Sequence, residues 1–238
     1  EENDGAAADA DDDDDEAWDG FPYVNLRFAD VLGPRDGTGR YAAYHMWAKY
    51  VGRVEGIPPF HIGGDVVEAT SVTYVEDAAQ AILKAIDASD NWDEAYNIAC
   101  EEVFNATEML PALGRILGRD PALLGVSKLP GEESFTVFPS VTRGPIDVTK
   151  AREALGFAPT PLEKALEETA GWYEEMFIVS EDVREGMVEE FIEHVLDDDD
   201  DDYDDIVTRL WETINEDVKE EKERRLASER RASGGEEL

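Results

Sequence analysis

The chain has a single cysteine, Cys100, among its 238 residues, and only three histidines, His45, His61 and His194, scattered with no partner at ligand spacing. One thiol cannot form a disulfide within the chain, and a zinc site built from clustered Cys and His ligands is excluded. This usage fits a soluble protein of a reducing, intracellular compartment. No apolar run approaches the roughly 20 residues that span a bilayer. The first residues, Glu1-Glu2-Asn3-Asp4, have neither the basic start nor the apolar core of a signal or transit peptide. No Gly-x-Ser-x-Gly elbow is present, so serine hydrolase chemistry has no support. Basic residues are scarce, with 21 Lys and Arg against 58 Asp and Glu, for a formal charge of −37. Such a balance repels phosphate backbones and anionic lipids, which argues against nucleic acid and membrane surfaces as partners.

The charge is unevenly spread. Residues 1–19 hold eleven Asp or Glu and no base, and residues 197–205 hold eight Asp and no base. Neither run has the alternating oxygen ligands, the glycine at position six and the glutamate at position twelve of a calcium loop, so both read as solvated spacers. The sequence thus divides into an acidic low-complexity segment at 1–20, a folded α/β part at 21–178, and a helical, acidic and charged tail at 179–238. The apolar share of 42% is enough for a sizeable core.

Within the folded part, Tyr23 to Val31 alternates and is rich in strand formers, which predicts a strand. Gly33 to Gly39 is a turn cluster, and Tyr41 to Tyr50 places Tyr41, Tyr44, Trp47 and Ala48 on one helical face. Ser71 to Val75 is a second short strand. The helix after it carries Glu76 and Asp77 in its first turn, where carboxylates meet the positive dipole end; its spacing points Ala78, Ala81, Ile82, Ala85 and Ile86 inward. Glu94 to Ala99 is a third strand. Further helices are predicted after Asn105 or Thr107, after Asp147 with Gly156 as the stop, and from Pro161 to Tyr173. In the tail, Val183, Met187, Phe191 and Val195, then Ile206, Leu210, Ile214 and Val218, recur at four-residue spacing and make two amphipathic helices.

Four of these segments, in order, carry a resemblance. Leu26-Arg27-Phe28-Ala29-Asp30-Val31-Leu32-Gly33-Pro34-Arg35-Asp36 resembles the "LRxxNVYGPRD" strand and loop of the NAD-dependent epimerase/dehydratase family, the extended short-chain dehydrogenase/reductases. Val72 to Ile82 is similar to its "FVHVDDVARAI" element, and Ala95-Tyr96-Asn97-Ile98-Ala99 to its "xYNIG" strand. Asp147 to Pro159, continued through Leu162 to Tyr173, is similar to its "DxSKARxxLGFxPxxxLEEGL" signature. The resemblance covers the C-terminal half of the family pattern only. It implies a partial Rossmann-type parallel sheet with a substrate-side lobe, to which the tail adds helices.

The resemblance also implies NAD or NADP as cofactor, hydride-transfer chemistry in epimerisation, dehydration or reduction, and a small-molecule substrate. Phe28, Ala29, Asp30 and Val31 would line the cofactor–substrate cleft, and Arg143 would bind a substrate anion. Asp30 stands where the family has Asn, Leu32 where it has Tyr, Thr70 where nucleotide-sugar enzymes often have a base, and Tyr74 where the family has His. The family's Gly-rich dinucleotide turn and Tyr-x-x-x-Lys pair have no counterpart here. Gly37-Thr38-Gly39-Arg40-Tyr41-Ala42 fits the glycine spacing but is separated from its strand by Gly33 to Asp36, so it reads as an ordinary substrate-side loop. No catalytic residue is therefore assigned. The chain alone would bind little or no cofactor, and would be marginal, self-associating or dependent on a partner chain supplying the first half. A non-catalytic interaction subunit on the same scaffold is the alternative.

Overall fold

The computed structural model describes residues 22–63, 69–88, 92–103, 106–124, 127–129, 141 and 143–233. In chain order the elements are β1 (Val24–Phe28), β2 (Asp30–Leu32), α1 (Arg40–Tyr50), β3 (His61–Gly63), β4 (Val72–Tyr74), α2 (Val75–Asp87), β5 (Glu94–Ile98), α3 (Ala106–Ile116), β6 (Ser127–Leu129), α4 (Thr149–Leu155), α5 (Leu162–Val179), α6 (Glu181–Val195) and α7 (Tyr203–Ser233). A 3-10 turn at Pro121–Leu124 follows α3. The acidic segment at 1–20 and the cap residue Asn105 lie outside the described residues.

All strand pairing among the described residues is parallel: β1 with β5, β2 with β4, and β3 with β6. The expected parallel pairing of the first and third predicted strands is found, with Leu26 opposite Tyr96 and Phe28 opposite Ile98. The first strand differs from expectation in one respect. It is not continuous to Val31 but breaks at Ala29, where the chain stops pairing with β5 and starts pairing with β4. One side chain spans the break. The Thr73 hydroxyl accepts from the Ala29 amide (3.1 Å) and donates to the Ile98 carbonyl (2.7 Å). The Cys100 amide donates to the Val72 carbonyl (2.8 Å) and completes the join.

Local chemistry sets the helix ends. The Asp147 carboxylate accepts from the Thr149 amide at the start of α4 (2.9 Å), and Gly156, in the left-handed region, closes it. Ser180 caps α6 by accepting from the Val183 amide. In α2, Ala78, Ala81 and Ala85 are buried as expected, but Ile82 and Ile86 are not inward: they are 47% and 70% exposed. The helix meets the sheet through its small residues and turns its large ones away, so spacing identified an apolar band without saying which part of it is covered. The single apolar face expected for α1 is also too narrow. Nine of its eleven residues are buried, because α3, α5 and α6 pack around it.

Two cores result. The smaller lies under β1 and β5, where Ala29, Ala81, Tyr96, Ile98, Ala151, Leu155 and Phe157 meet. The larger surrounds α1 and takes in α3, α5 and both tail helices through Phe177, Met187, Phe191, Leu210 and Ile214. The tail helices are thus part of the core, seated on two glycines. A Cβ on Gly39 would lie 2.5 Å from the Glu190 side chain of α6, and one on Gly56 would lie 2.5 Å from Ile206 of α7. Both glycines have positive φ, which other residues rarely adopt. No helix among the described residues is long and apolar enough to cross a membrane.

The Thr73 bridge gives the first test. Thr73→Val keeps the shape of the side chain but strands a buried amide and carbonyl, and it should cost about 1–3 kcal/mol in a urea titration. Thr73→Ser, which keeps the hydroxyl, should cost clearly less. A larger loss for Thr73→Ser than for Thr73→Val would mean that the methyl packing, not the bridge, is what matters.

Candidate functional site

The site residues read from the sequence lie where β1 passes into β2. Ala29 and Asp30 are buried, while Phe28 and Val31 are partly exposed. Asp30 is opposite Val72 in the β2–β4 register. Its carboxylate accepts from Arg40 Nη1 at 2.8 Å, so a buried aspartate is balanced by the first residue of α1. Nothing in the sequence marks this pair, which is separated by ten residues and a loop.

Arg143 is tied to the same region by its backbone. Arg143 bridges Ala69, and the Gly144 amide donates to the Ala69 carbonyl (2.6 Å). The Ser71 hydroxyl accepts from the Ile146 amide (3.0 Å) and fills the space beside Gly144 that a side chain there would need. Ala69 precedes Val72 by three residues, so about 10 Å of extended chain separates the register positions of Arg143 and Asp30. The Arg143 side chain is exposed and makes no ion pair among the described residues. Thr70, at the position of the family's base, is buried, and the Tyr74 hydroxyl donates to Glu168 (2.5 Å) as part of the α5 packing.

The Gly37–Ala42 loop does not form a pyrophosphate cradle. The Asp36 carboxylate accepts from the Thr38 amide and hydroxyl, folding the loop on itself, and the Tyr173 hydroxyl donates to Asp36 (3.2 Å). The Glu190 side chain lies against Gly39. A carboxylate therefore occupies the helix start where an anion would bind. These residues do not fit a dinucleotide by themselves.

A buried polar cluster on α1 was not foreseen from the sequence. Tyr41, His45 and Lys49, at four-residue spacing, face Tyr173, Glu174 and Phe177 of α5. His45 Nε2 lies 2.8 Å from Glu174, and Lys49 Nζ donates to both Glu174 oxygens at 2.6 and 2.8 Å. Burial lowers the pKa of His45, and the acceptor-only Glu174 assigns it a neutral ring with the proton on Nε2. Burial alone would raise the Glu174 pKa, but the hydrogen bond from His45 and the Lys49 ammonium outweigh it and hold the carboxyl at about 2. Burial pushes the Tyr41 and Tyr173 hydroxyls far above their ordinary range, so both stay protonated. Tyr41, Tyr44 and Trp47 are core residues, not a stacking platform. Cys100 is buried too, which pushes its thiol up to about 12 and removes it as a nucleophile.

Strand order, parallel pairing and flanking helices define an α/β protein of Rossmann-like fold. A point mutant of UDP-glucuronic acid 4-epimerase from Bacillus cereus, solved with a fluorinated UDP-glucuronic acid and NAD, is similar at a TM-score of 0.50 and 23% identity, over 66% of this chain and 46% of that one. More particularly, residues 14–99 match the model of the NAD-dependent epimerase/dehydratase family. It is 26% identical over 162 residues to UDP-N-acetyl-alpha-D-glucosaminuronate decarboxylase of Bacillus cytotoxicus, covering 67% of this chain and 49% of that one. UDP-glucose 4-epimerase of Thermotoga maritima, solved with UDP-glucose, shares 25% identity over 66% of this chain and 47% of that one, at a TM-score of 0.49. The chain spans about half the length of the relatives it matches.

The Glu174 cluster makes a pH prediction. Its folded pKa lies below the ordinary value of 4.5, so its stabilisation is present above pH 4.5 and is lost as pH falls toward 2. Two-fifths of the Glu174 side chain still meets solvent, which limits the contribution to about 1–2 kcal/mol. Glu174→Gln should lower stability by that amount at pH 7, and the difference should shrink through this window. A constant difference down to pH 2 would contradict the ionised assignment.

Proposed function

We propose that this chain is the substrate-side portion of an NAD(P)-dependent epimerase/dehydratase-like protein and is not catalytic alone. Phe28, Ala29, Asp30 and Val31 line its cofactor–substrate cleft, and Arg143 meets an anionic group of the substrate. The observation that carries the reading is the junction at Ala29. There the backbone leaves one parallel pair and joins another, exposing Phe28 and Val31 beside a buried, balanced carboxylate. Crevices of this kind, at the carboxyl ends of strands where pairing changes, are where open α/β sheets bind ligands.

In such a site a bound nicotinamide cofactor supplies hydride acceptance. The residues of this chain shape and neutralise the cleft: Phe28 and Val31 offer apolar contact, and Arg40 cancels the Asp30 charge so that the cleft does not repel an anionic ligand. The exposed guanidinium of Arg143 suits a phosphate or carboxylate. The relatives named above include enzymes acting on UDP-sugars, which makes a UDP-sugar the ligand class to test first.

A second reading, a non-catalytic interaction subunit, is favoured by the Glu190 carboxylate at Gly39 and by tail helices built into the core. Heteronuclear NMR with UDP-glucuronic acid separates the two. The enzyme-portion reading expects amide shifts centred on Phe28 to Val31 and Arg143, weakened at least about ten-fold by Arg143→Ala. Calorimetry should find NAD binding by the chain alone weak or undetectable. Shifts that miss both segments, or low-micromolar NAD binding, would overturn it.

A further inference from the structure

A pocket of about 180 Å³ opens where the loop before α1 meets α5 and α6. Pockets that take cofactors or drug-sized ligands usually hold roughly 300–1,000 Å³, so this one suits a small group. Its aromatic walls are Trp172 and Tyr173, whose rings stand at 83° with centroids 4.9 Å apart. Val183 and Met187 of α6 add apolar surface, and Asp36 and Glu190 bring two carboxylates. Among the described residues no Lys or Arg lines it.

The arginines near these carboxylates in sequence are not their partners. Arg40 is engaged by Asp30, Arg184 donates to the Phe177 carbonyl, and Arg35 does not border the pocket. Glu190 has one ion-pair partner among the described residues, the His194 ring at 3.5 Å. Asp36 accepts from the Thr38 amide and hydroxyl and from the Tyr173 hydroxyl, all neutral donors. Both carboxylates act on one hydroxyl: burial is the main cause of the raised Tyr173 pKa, and Asp36 and Glu190 push it further up. The start of α1 offsets part of this charge, but a helix N-terminus is worth only about half a positive charge against two negative ones. Gly186 points the same way. It lies inside α6 and borders the pocket, at a helical position where glycine is less favourable than alanine. A Cβ there would meet nothing within 4 Å, so no packing neighbour demands the glycine. What its missing side chain keeps open is the pocket.

We propose that this pocket binds the head of a primary alkylammonium ion, held by Asp36 and Glu190 between the Trp172 and Tyr173 rings. An ammonium carries three N–H donors and no acceptor, which suits a site with two carboxylates. Aromatic faces attract a cation through the ring quadrupole. Val183 and Met187 suit the methylene stem behind the charge. A bare metal ion would use the carboxylates and leave the aromatic walls without a role. A free diamine and a lysine side chain of another protein share this chemistry. The pocket depends on α5 and α6, beyond the residues that match the family model, and stands independently of the cleft at Phe28 to Val31. Failure of NAD or UDP-sugar binding there leaves it untouched.

Heteronuclear NMR of the full chain, titrated with n-butylammonium chloride at constant ionic strength, tests the proposal. The expected result is saturable shifts at the Gly37, Gly186 and Met187 amides and at the Trp172 indole. Glu190→Gln, which keeps the shape and removes one charge, should weaken binding at least about five-fold. Gly186→Leu, a better helix former that fills the pocket, should abolish the shifts and leave the far-UV spectrum unchanged. Calcium chloride at the same ionic strength should not reproduce them. Putrescine and Nα-acetyl-lysine amide separate the two sources of the ligand: tighter binding of the first assigns a free diamine, and of the second a lysine side chain. Butylammonium binding that survives both substitutions, shifts that miss the pocket, or equal shifts with calcium would overturn the proposal.

Discussion

The Thr73 hydroxyl sits with no solvent exposure between three strands, and the positions of the others follow from it. A parallel sheet whose strands are only three to five residues long has few ladder hydrogen bonds to hold its register. Here one hydroxyl accepts from the strand that is leaving β5 and donates to the end of β5 itself. That fixes where β1 ends and β2 begins, and hence where Phe28, Ala29, Asp30 and Val31 stand. A buried hydroxyl with both bonds made is stabilising, whereas one with either bond missing is costly. The local arrangement therefore has little freedom.

Around this junction the protein divides its labour between two cores. The core under β1 and β5 is small and made largely of alanines and aromatics, which leaves the large residues of α2 outside. The core around α1 is larger, and it is closed by α6 and α7. Asp217 of α7 accepts from both the Arg53 guanidinium and the Tyr50 hydroxyl, and Arg225 reaches Glu175 on α5. The tail helices are therefore structural parts of the domain despite their charged composition. Among the described residues most carboxylates are exposed, and their mutual repulsion is screened by salt.

Much of the fold was legible because it rests on local rules. Strands within 23–31 and at 94–99, the acidic first turn of α2, the glycine stop of α4 and the two tail helices follow from period, caps and breakers, while the parallel arrangement of the strands was implied by the family resemblance. What was not legible depends on distant partners. The break at Ala29 is made by Thr73, forty-four residues away, and the Asp30–Arg40 and His45–Glu174 pairs have no spacing signal. The apolar band of α2 was visible, but which of its residues meet the sheet depends on what packs there: alanines meet it, and isoleucines remain outside. For the site, the family resemblance singled out Phe28 to Val31, which the fold places at the junction of two strand pairs. The environment of each residue in it was set by contacts that only the folded chain reveals.

Native-state hydrogen exchange at the Ala29 amide is the most direct test of the junction. If the Thr73 bridge holds the two strand pairs as one unit, the Ala29 amide exchanges only when the whole sheet opens, with the same dependence on denaturant as the Cys100 amide. Exchange at Ala29 by local fluctuation, while Cys100 stays protected, would contradict the account.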